Sequence, residues 1–304
     1  MRFGGHETFA IREGWLHKGL KLLVEEPDKL HDPDLADWLG VGRNMGKSIK
    51  HWLLATGLAD QTEGHGRDMS LKVNPLGKLV HARDPYFLQA GTWWALHVEL
   101  SNCQDHAVTW WWFFNQFSLT RFDRAVCLTN LRTHLEVNQP PRVPAQKTLQ
   151  RDIACLIASY ATPIPAETSD PEDADDCPFR ELRLMTYSRS TGACSLNTGL
   201  KPVPPELLGF AISRAPFLGS SGQGSCEVTL REAASRDGGP GKVYVMGPDA
   251  LFELALSAEQ ELGPSSLAVA GLGAERTIRI AQRDRPCSWL AAYYDRVLER
   301  RHAA

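Results

Sequence analysis

Residues Asp34–Leu58 read DLADWLGVGRNMGKSIKHWLLATGL. The stretch predicts a short helix, a tight turn and a second helix. Leu35, Trp38 and Leu39 mark the first helix. Gly40 and Gly42 flank Val41 in the turn, where a residue without Cβ tolerates positive φ. Asn44 is placed to cap the second helix through its side-chain oxygen. Met45, Ile49, Trp52 and Leu53 recur at helical spacing and are expected to face inward. Arg43, Asn44, Lys47, Ser48, Lys50 and His51 are then the candidates for contact with a duplex. A helix with one dry face and one basic face, set at an angle by a Gly turn, is how helix-turn-helix proteins enter a DNA groove.

The chain that follows, GLADQTEGHGRDMSLKVNPLGKLVHA, has a polar tip at Gly64, His65 and Gly66 between two short runs that can pair as strands. This pattern predicts the hairpin of a winged helix and adds Arg67 to the DNA-contact set. From Arg43 to Arg83 there are seven basic residues against three acidic ones, within a chain of net charge −3. Local basicity in a near-neutral chain fits a confined phosphate contact. A winged helix that packs only against another protein has the same pattern. The segment GRNMGKS imitates a phosphate loop, but Val41 stands where that pattern needs its first Gly, and a helix rather than a strand precedes it.

At 304 residues the chain is long enough for two or three domains. Its composition, 43% hydrophobic and 23% charged, is that of an ordinary globular protein. The seven cysteines include no CxxC pair, which argues for reduced thiols and against a zinc knuckle. Arg2 to Trp15 is too polar for a signal peptide. The apolar run TWWWFFNQF is too short to span a bilayer. Cytoplasmic placement without a membrane is therefore expected.

A helix is expected from about Glu13, and the preceding GGHETF reads as an ordered loop presenting His6, Glu7 and Thr8. Two aromatic helices around Trp93–Leu100 and Trp110–Phe114 are expected to brace the winged helix. Leu119–Leu135 reads as an amphipathic helix. After a Pro-rich break at Gln139–Pro144, PAQKTLQRDIACLIASYA is either a second helix-turn-helix, with Lys147 and Arg151 on its surface, or an amphipathic helix with solvated charges. Thr162–Pro178 carries six acidic residues and no basic one. Beyond it, FRELRLMTYSR and GACSLNTG predict a hairpin, VPPELLGFAISRA a helix, GKVYV a strand, the segment after Gly247 a helix capped by Asp249, LAVAG and RTIRIAQ strands, and SWLAAYYDRVLERR a closing helix. The expected fold class is α+β and mainly helical. Its expected domains are a winged helix with aromatic support (1–118), a helical segment (119–162) and a mixed α/β module (163–304).

The ordered set FGGHETFAIREGWLHKG, LGVGRNMGKSIKHWL, TWWALHVEL, WWFFNQF, KTLQRDI, DDCPFREL and GKVYVMGPDAL resembles the uncharacterised-domain family encoded beside DNA phosphorothioation genes, which includes the SspB-type DNA nickases. The resemblance covers nearly the whole chain. It implies a double-stranded-DNA-binding protein with nickase activity in a sulfur-modification and phage-defence system. The implied partners are a cysteine desulfurase, an ATPase and an ATP-pyrophosphatase-like sulfur transferase, and a homodimer is one assembly open to it.

Nicking needs a nucleophile, charge stabilisation at phosphorus and usually a divalent ion such as Mg²⁺ or Mn²⁺, which prefers carboxylates. In GGHETFAIR, His6 can move protons, Glu7 can bind metal or act as base, and Arg12 can clamp a phosphate. The bland alternative is that His6 and Glu7 only fix the loop by hydrogen bonds. Glu172, Asp173, Asp175 and Asp176 form a second cluster able to hold a metal, although acidic runs are usually just solvated. His97 and Glu99 point apart on a helix, and the carboxylates around Cys177 are expected to blunt its thiol. No familiar nuclease motif is present. A non-catalytic reader or regulator, or a scaffold of the modification complex, is the alternative function.

Overall fold

The computed structural model describes residues 1–62, 70–138, 143–164, 177–218, 224–271, 275–281 and 285–303. In chain order its first elements are α1 (Trp15–Glu25), α2 (Leu35–Leu39), α3 (Arg43–Ala55), β1 (Ala59–Gln61), β2 (Leu71–Val73), α4 (Pro75–Arg83), α5 (Ala90–Asn102) and α6 (Val108–Asn115). There follow β3 (Arg121–Phe122), α7 (Arg124–Asn138), α8 (Gln146–Tyr160), β4 (Ala161–Ile164), β5 (Met185–Ser188), β6 (Cys194–Leu196) and α9 (Pro205–Arg214). The last are β7 (Cys226–Thr229), α10 (Leu230–Ser235), α11 (Pro240–Val243), α12 (Pro248–Leu262), β8 (Leu267–Ala270), β9 (Thr277–Ile280) and α13 (Pro286–Ala303). The α+β, mainly helical class holds. The chain forms two compact units, one of Met1–Phe87 with Cys103–Asn197, the other of Leu88–Asn102 with Thr198–Ala304.

In the first unit the turn between α2 and α3 is set by Gly40, at φ 63°. The Gly40 and Val41 amides donate back to Asp37 O and Ala36 O, the paired bonds of a Schellman stop. Gly42, extended, starts α3 without a side-chain cap. Asn44 is therefore not the cap; it lies one position inside the helix with its side chain exposed. Ile49, Trp52 and Leu53 are buried as expected, while Met45 is half-buried. Trp38 is not an anchor: its ring is exposed, with the Lys29 ammonium 3.7 Å from the ring centroid. β1 and β2 pair antiparallel from Ala59↔Val73 to Gln61↔Leu71, and the tip expected at Gly64, His65 and Gly66 lies outside the described residues. Asn74 then caps α4 by accepting the Gly77 amide at 2.9 Å.

The core of this unit is aromatic. Trp52 and Trp110 meet edge to face at 5.3 Å, Phe113 stacks on Phe117, and Tyr160 stacks on Phe179. These offset and T-shaped arrangements suit ring quadrupoles. A four-stranded sheet of order β3-β6-β5-β4 closes the unit, with β5 and β6 in the expected hairpin and β4 parallel to β5.

In the second unit α9 packs against α5, α12 and α13, and the sheet has the order β7-β9-β8. The aromatic helices thus divide: α6 joins the first unit, whereas α5 joins the second, its Trp94 edge to face with Tyr244 at 5.2 Å. The buried Glu206 carboxylate is held by both Nε and Nη2 of Arg296, at 2.5 and 2.7 Å. The strand expected at GKVYV is instead α11, because Pro240 after Gly239 starts a helical turn, and the Cα of Gly241 lies so close to Ala234 that a Cβ would sit 2.5 Å from its backbone. Asp249 lies in the first turn of α12, but Gly247 is the capping position.

Candidate functional site

The loop that precedes α1 has an unusual backbone. Gly4 has φ 69°, and Glu7 and Thr8 are also left-handed, at φ 50° and 74°. For a β-branched residue this is a true outlier, costing on the order of 1–3 kcal/mol. Gly5 is pressed so close to His51 that a Cβ would lie 2.5 Å from the ring Nδ1.

Three helices hold the loop in place. From α3, Ser48 donates its hydroxyl proton to His6 O at 2.9 Å, and the Trp52 indole donates to Phe9 O at 3.1 Å. From α8, the buried Asp152 carboxylate accepts the Gly4 amide and the His6 ring, each at 2.9 Å on Oδ1. From α6, the Thr109 hydroxyl donates to Asp152 Oδ2 at 2.9 Å. The Thr8 amide donates to His6 Nδ1 at 3.0 Å, which assigns the ring proton to Nε2, facing Asp152. Both ring nitrogens of His6 are thus engaged. The ring is buried among Trp52, Trp110 and His51, and it positions the loop rather than meeting solvent.

Beside the loop lies an open concavity of about 450 Å³. The loop contributes Phe3, Gly4, His6, Glu7 and Thr8 to it. Asn44 enters from the first turn of α3, and Thr148 and Arg151 from the first two turns of α8. Lys47, exposed one turn beyond Asn44, has its ammonium 3.9 Å from a Glu7 carboxylate oxygen. Glu7, expected in catalysis, and Asn44 and Arg151, expected in DNA contact, therefore line one surface. Arg43 and Lys147 are exposed at the same helix starts, and Lys50 is half-buried, its amine lowered by burial.

Other candidates fall elsewhere. Ser48 and His51 are buried, so neither presents a group to a duplex. Among the described residues neither ring nitrogen of His51 has a hydrogen-bond partner, and burial, with nearby His6, Arg2 and His106, holds its pKa well below the usual imidazole value. Arg12 does not line the concavity; its guanidinium lies 5.8 and 5.7 Å from the Phe9 and Trp15 ring centroids. Arg67 and the acidic residues Glu172, Asp173, Asp175 and Asp176 lie outside the described residues. Among the described residues no group of three or more His, Cys, Asp or Glu is arranged to hold a metal. His97, whose Nε2 bonds Val243 O at 2.7 Å, is a satisfied core histidine.

Sequence reasoning missed Asp152, Thr148 and Phe3. Asp152 carried a signal: it lies on the apolar face of α8 with Leu149, Ile153 and Leu156, where a carboxylate must find partners.

The family model for proteins of unknown function designated DUF4007 matches residues 3–294. The chain belongs to the DUF4007 family. This member is similar in fold to a solved structure titled "Magnesium ion-bound SspB crystal structure", with a TM-score of 0.83, 24% identity, and coverage of 96% of this chain and 88% of that one. A second, titled "SspB crystal structure", gives a TM-score of 0.83 at 23% identity with the same coverage. No curated protein sequence matches the DUF4007 chain. No described helix is long and apolar enough to cross a membrane.

Proposed function

We propose that this chain is a DNA-binding nickase of a DNA phosphorothioation system. One observation carries the reading: the starts of α3 and α8, the two helices with duplex-contact candidates, meet the strained Gly4–Thr8 loop around one polar concavity. The SspB-like fold supports the system context, and the ordered set of sequence segments resembles that of the SspB-type nickases. In this reading α2, α3 and the β1–β2 ladder act as a winged helix-turn-helix, and α8 supplies a second contact. Arg43, Asn44, Lys47, Lys147 and Arg151 face DNA phosphates. The phosphorothioation enzymes named by the resemblance are the proposed partners, and a homodimer would present two such faces.

At the cleavage site Arg151 holds a phosphate oxygen, and Glu7 takes a proton from the attacking water as the bond from phosphorus to the leaving oxygen breaks. His6 and Asp152 position Glu7 through the loop backbone. Mg²⁺ typically takes one or two carboxylates together with phosphate oxygens and water. Glu7 is the carboxylate on the concavity that fits this pattern, so an ion there would be completed by DNA. When bound it would supply charge stabilisation at phosphorus.

The test is relaxation of supercoiled plasmid by the full chain, with Mg²⁺ or Mn²⁺ and with chelator, on wild type and Glu7→Gln. Metal-dependent nicking that Glu7→Gln lowers at least a hundredfold is expected. An intact plasmid, or full activity in Glu7→Gln, would overturn the catalytic assignment. Plasmid binding without nicking would favour the second reading, a non-catalytic reader, which the full engagement of both His6 nitrogens supports.

A further inference from the structure

The volume of the concavity is more than a phosphate contact requires. About 450 Å³ is within the range of pockets that enclose a drug-sized ligand. A paired duplex offers such a concavity only its backbone phosphates, because its bases stay stacked until one is extruded.

The lining is graded in chemistry. Arg151, exposed on α8, has no carboxylate partner among the described residues, so its guanidinium is available for bidentate recognition of a phosphate. Thr148, one turn before it, adds a hydroxyl, and Asn44 faces them with an amide that both donates and accepts. Lys47, its ammonium 3.9 Å from a Glu7 carboxylate oxygen, offsets the charge of Glu7. Phe3, half-buried, is the aromatic residue of the lining, and an aromatic side chain is the kind of surface on which an unstacked base rests whatever its identity.

From this arrangement we infer that the concavity receives a single nucleotide of a DNA strand, extruded from the stack. Its phosphate lies on Arg151 and Thr148, and its base lies against Phe3. The inference rests on the DNA-binding reading and names what occupies that site. It gives the loop a use beyond catalysis: extrusion favours a base that is weakly paired, so the recess selects where a strand is engaged.

The probe is 2′-deoxyadenosine 5′-monophosphate, titrated into the full chain by calorimetry. Inorganic phosphate and deoxyadenosine serve as partial ligands, and a single-stranded oligodeoxyadenylate as competitor. One saturable site is expected, with each partial ligand at least tenfold weaker and the oligonucleotide displacing the nucleotide. Arg151→Ala and Phe3→Ala should each raise Kd at least tenfold, and Thr148→Val should raise it severalfold should either of those variants fail to fold. Absence of saturable binding, unchanged affinity in the Arg151 and Phe3 variants, or failure of the single strand to compete would overturn the inference. Duplex binding without nucleotide binding would remove this inference alone. Nucleotide and single-strand binding without plasmid nicking would remove the nickase reading and leave the recess as assigned.

Discussion

His6 Nε2 donates to Asp152 Oδ1 at 2.9 Å, joining residues 146 positions apart in the buried centre of the first unit. This bond locks the loop before α1 onto α8. It is the reason the start of α8 and the Glu7 carboxylate share one surface.

Asp152 accepts three protein donors, from Gly4, His6 and Thr109. Asp152→Ala leaves all three without their acceptor in a buried site, an expected loss of about 3 kcal/mol. Thr109→Val removes one bond and should cost about 1 kcal/mol. Urea unfolding checks both; a loss under about 1 kcal/mol for Asp152→Ala would contradict the anchoring role.

Gly5 and His51 should couple. Gly5→Ala alone drives a methyl to 2.5 Å from the buried His51 ring, and an expected 2–3 kcal/mol is lost, about the cost of overpacking a core. His51→Ala opens the space. The double variant is therefore expected to lose at least about 1 kcal/mol less than the sum of the single variants. Simple additivity in a thermal or urea cycle would show that the close approach carries no energy.

Acid should destabilise both units. Burial draws the His97 ring down to about 4, and His51 also lies well below its usual value. Each imidazole binds fewer protons when folded than when unfolded, so stability rises with pH through this window. The contribution is fully present above about 6.5 and is lost as pH falls toward 4. Melting temperature between pH 7 and 4.5 should fall more steeply in wild type than in His97→Gln. Parallel profiles would contradict the buried neutral assignment of His97.

Much of this was legible in the sequence, and the rest failed for reasons that can be named. The turn at Gly40–Gly42 and the buried Ile49, Trp52 and Leu53 follow from spacing, because a local stop signal and a 3.6-residue period are written in adjacent residues. Ser48 and His51 were expected outside because they are polar. They are inside because the Gly4–Phe9 loop covers that face of α3, and no local pattern reports a partner forty residues away. Glu7 stands out through its motif, whereas the signal of Asp152 is only its place on the apolar face of α8, which does not name the partners it finds in the distant Gly4–His6 loop. Arg12 looked like the phosphate clamp by proximity in sequence; Arg151, remote in sequence, shares the concavity instead.

The thiols should divide by burial. Cys127 and Cys177 are pushed up to about 12 and Cys194 to about 11, and Cys155 is also raised well above its usual value. Little thiolate exists in these four at neutral pH. Brief iodoacetamide treatment of the native chain, read by peptide mass spectrometry, should modify half-buried Cys226 first, and more slowly Cys103 and Cys287, whose thiols burial also pushes up, before the other four. Early modification of Cys177 would contradict its burial.

The central claim is that α3 and α8 hold the same duplex. Its most direct measurement is duplex affinity as a function of salt for wild type, Lys47→Ala, Arg151→Ala and the double variant. Removing one phosphate-binding cation should reduce the slope of log K against log salt by about 1, so the double variant should show a slope smaller by about 2, similarly on unrelated sequences. A slope unchanged in both single variants, with affinity intact, would show that this face does not carry DNA.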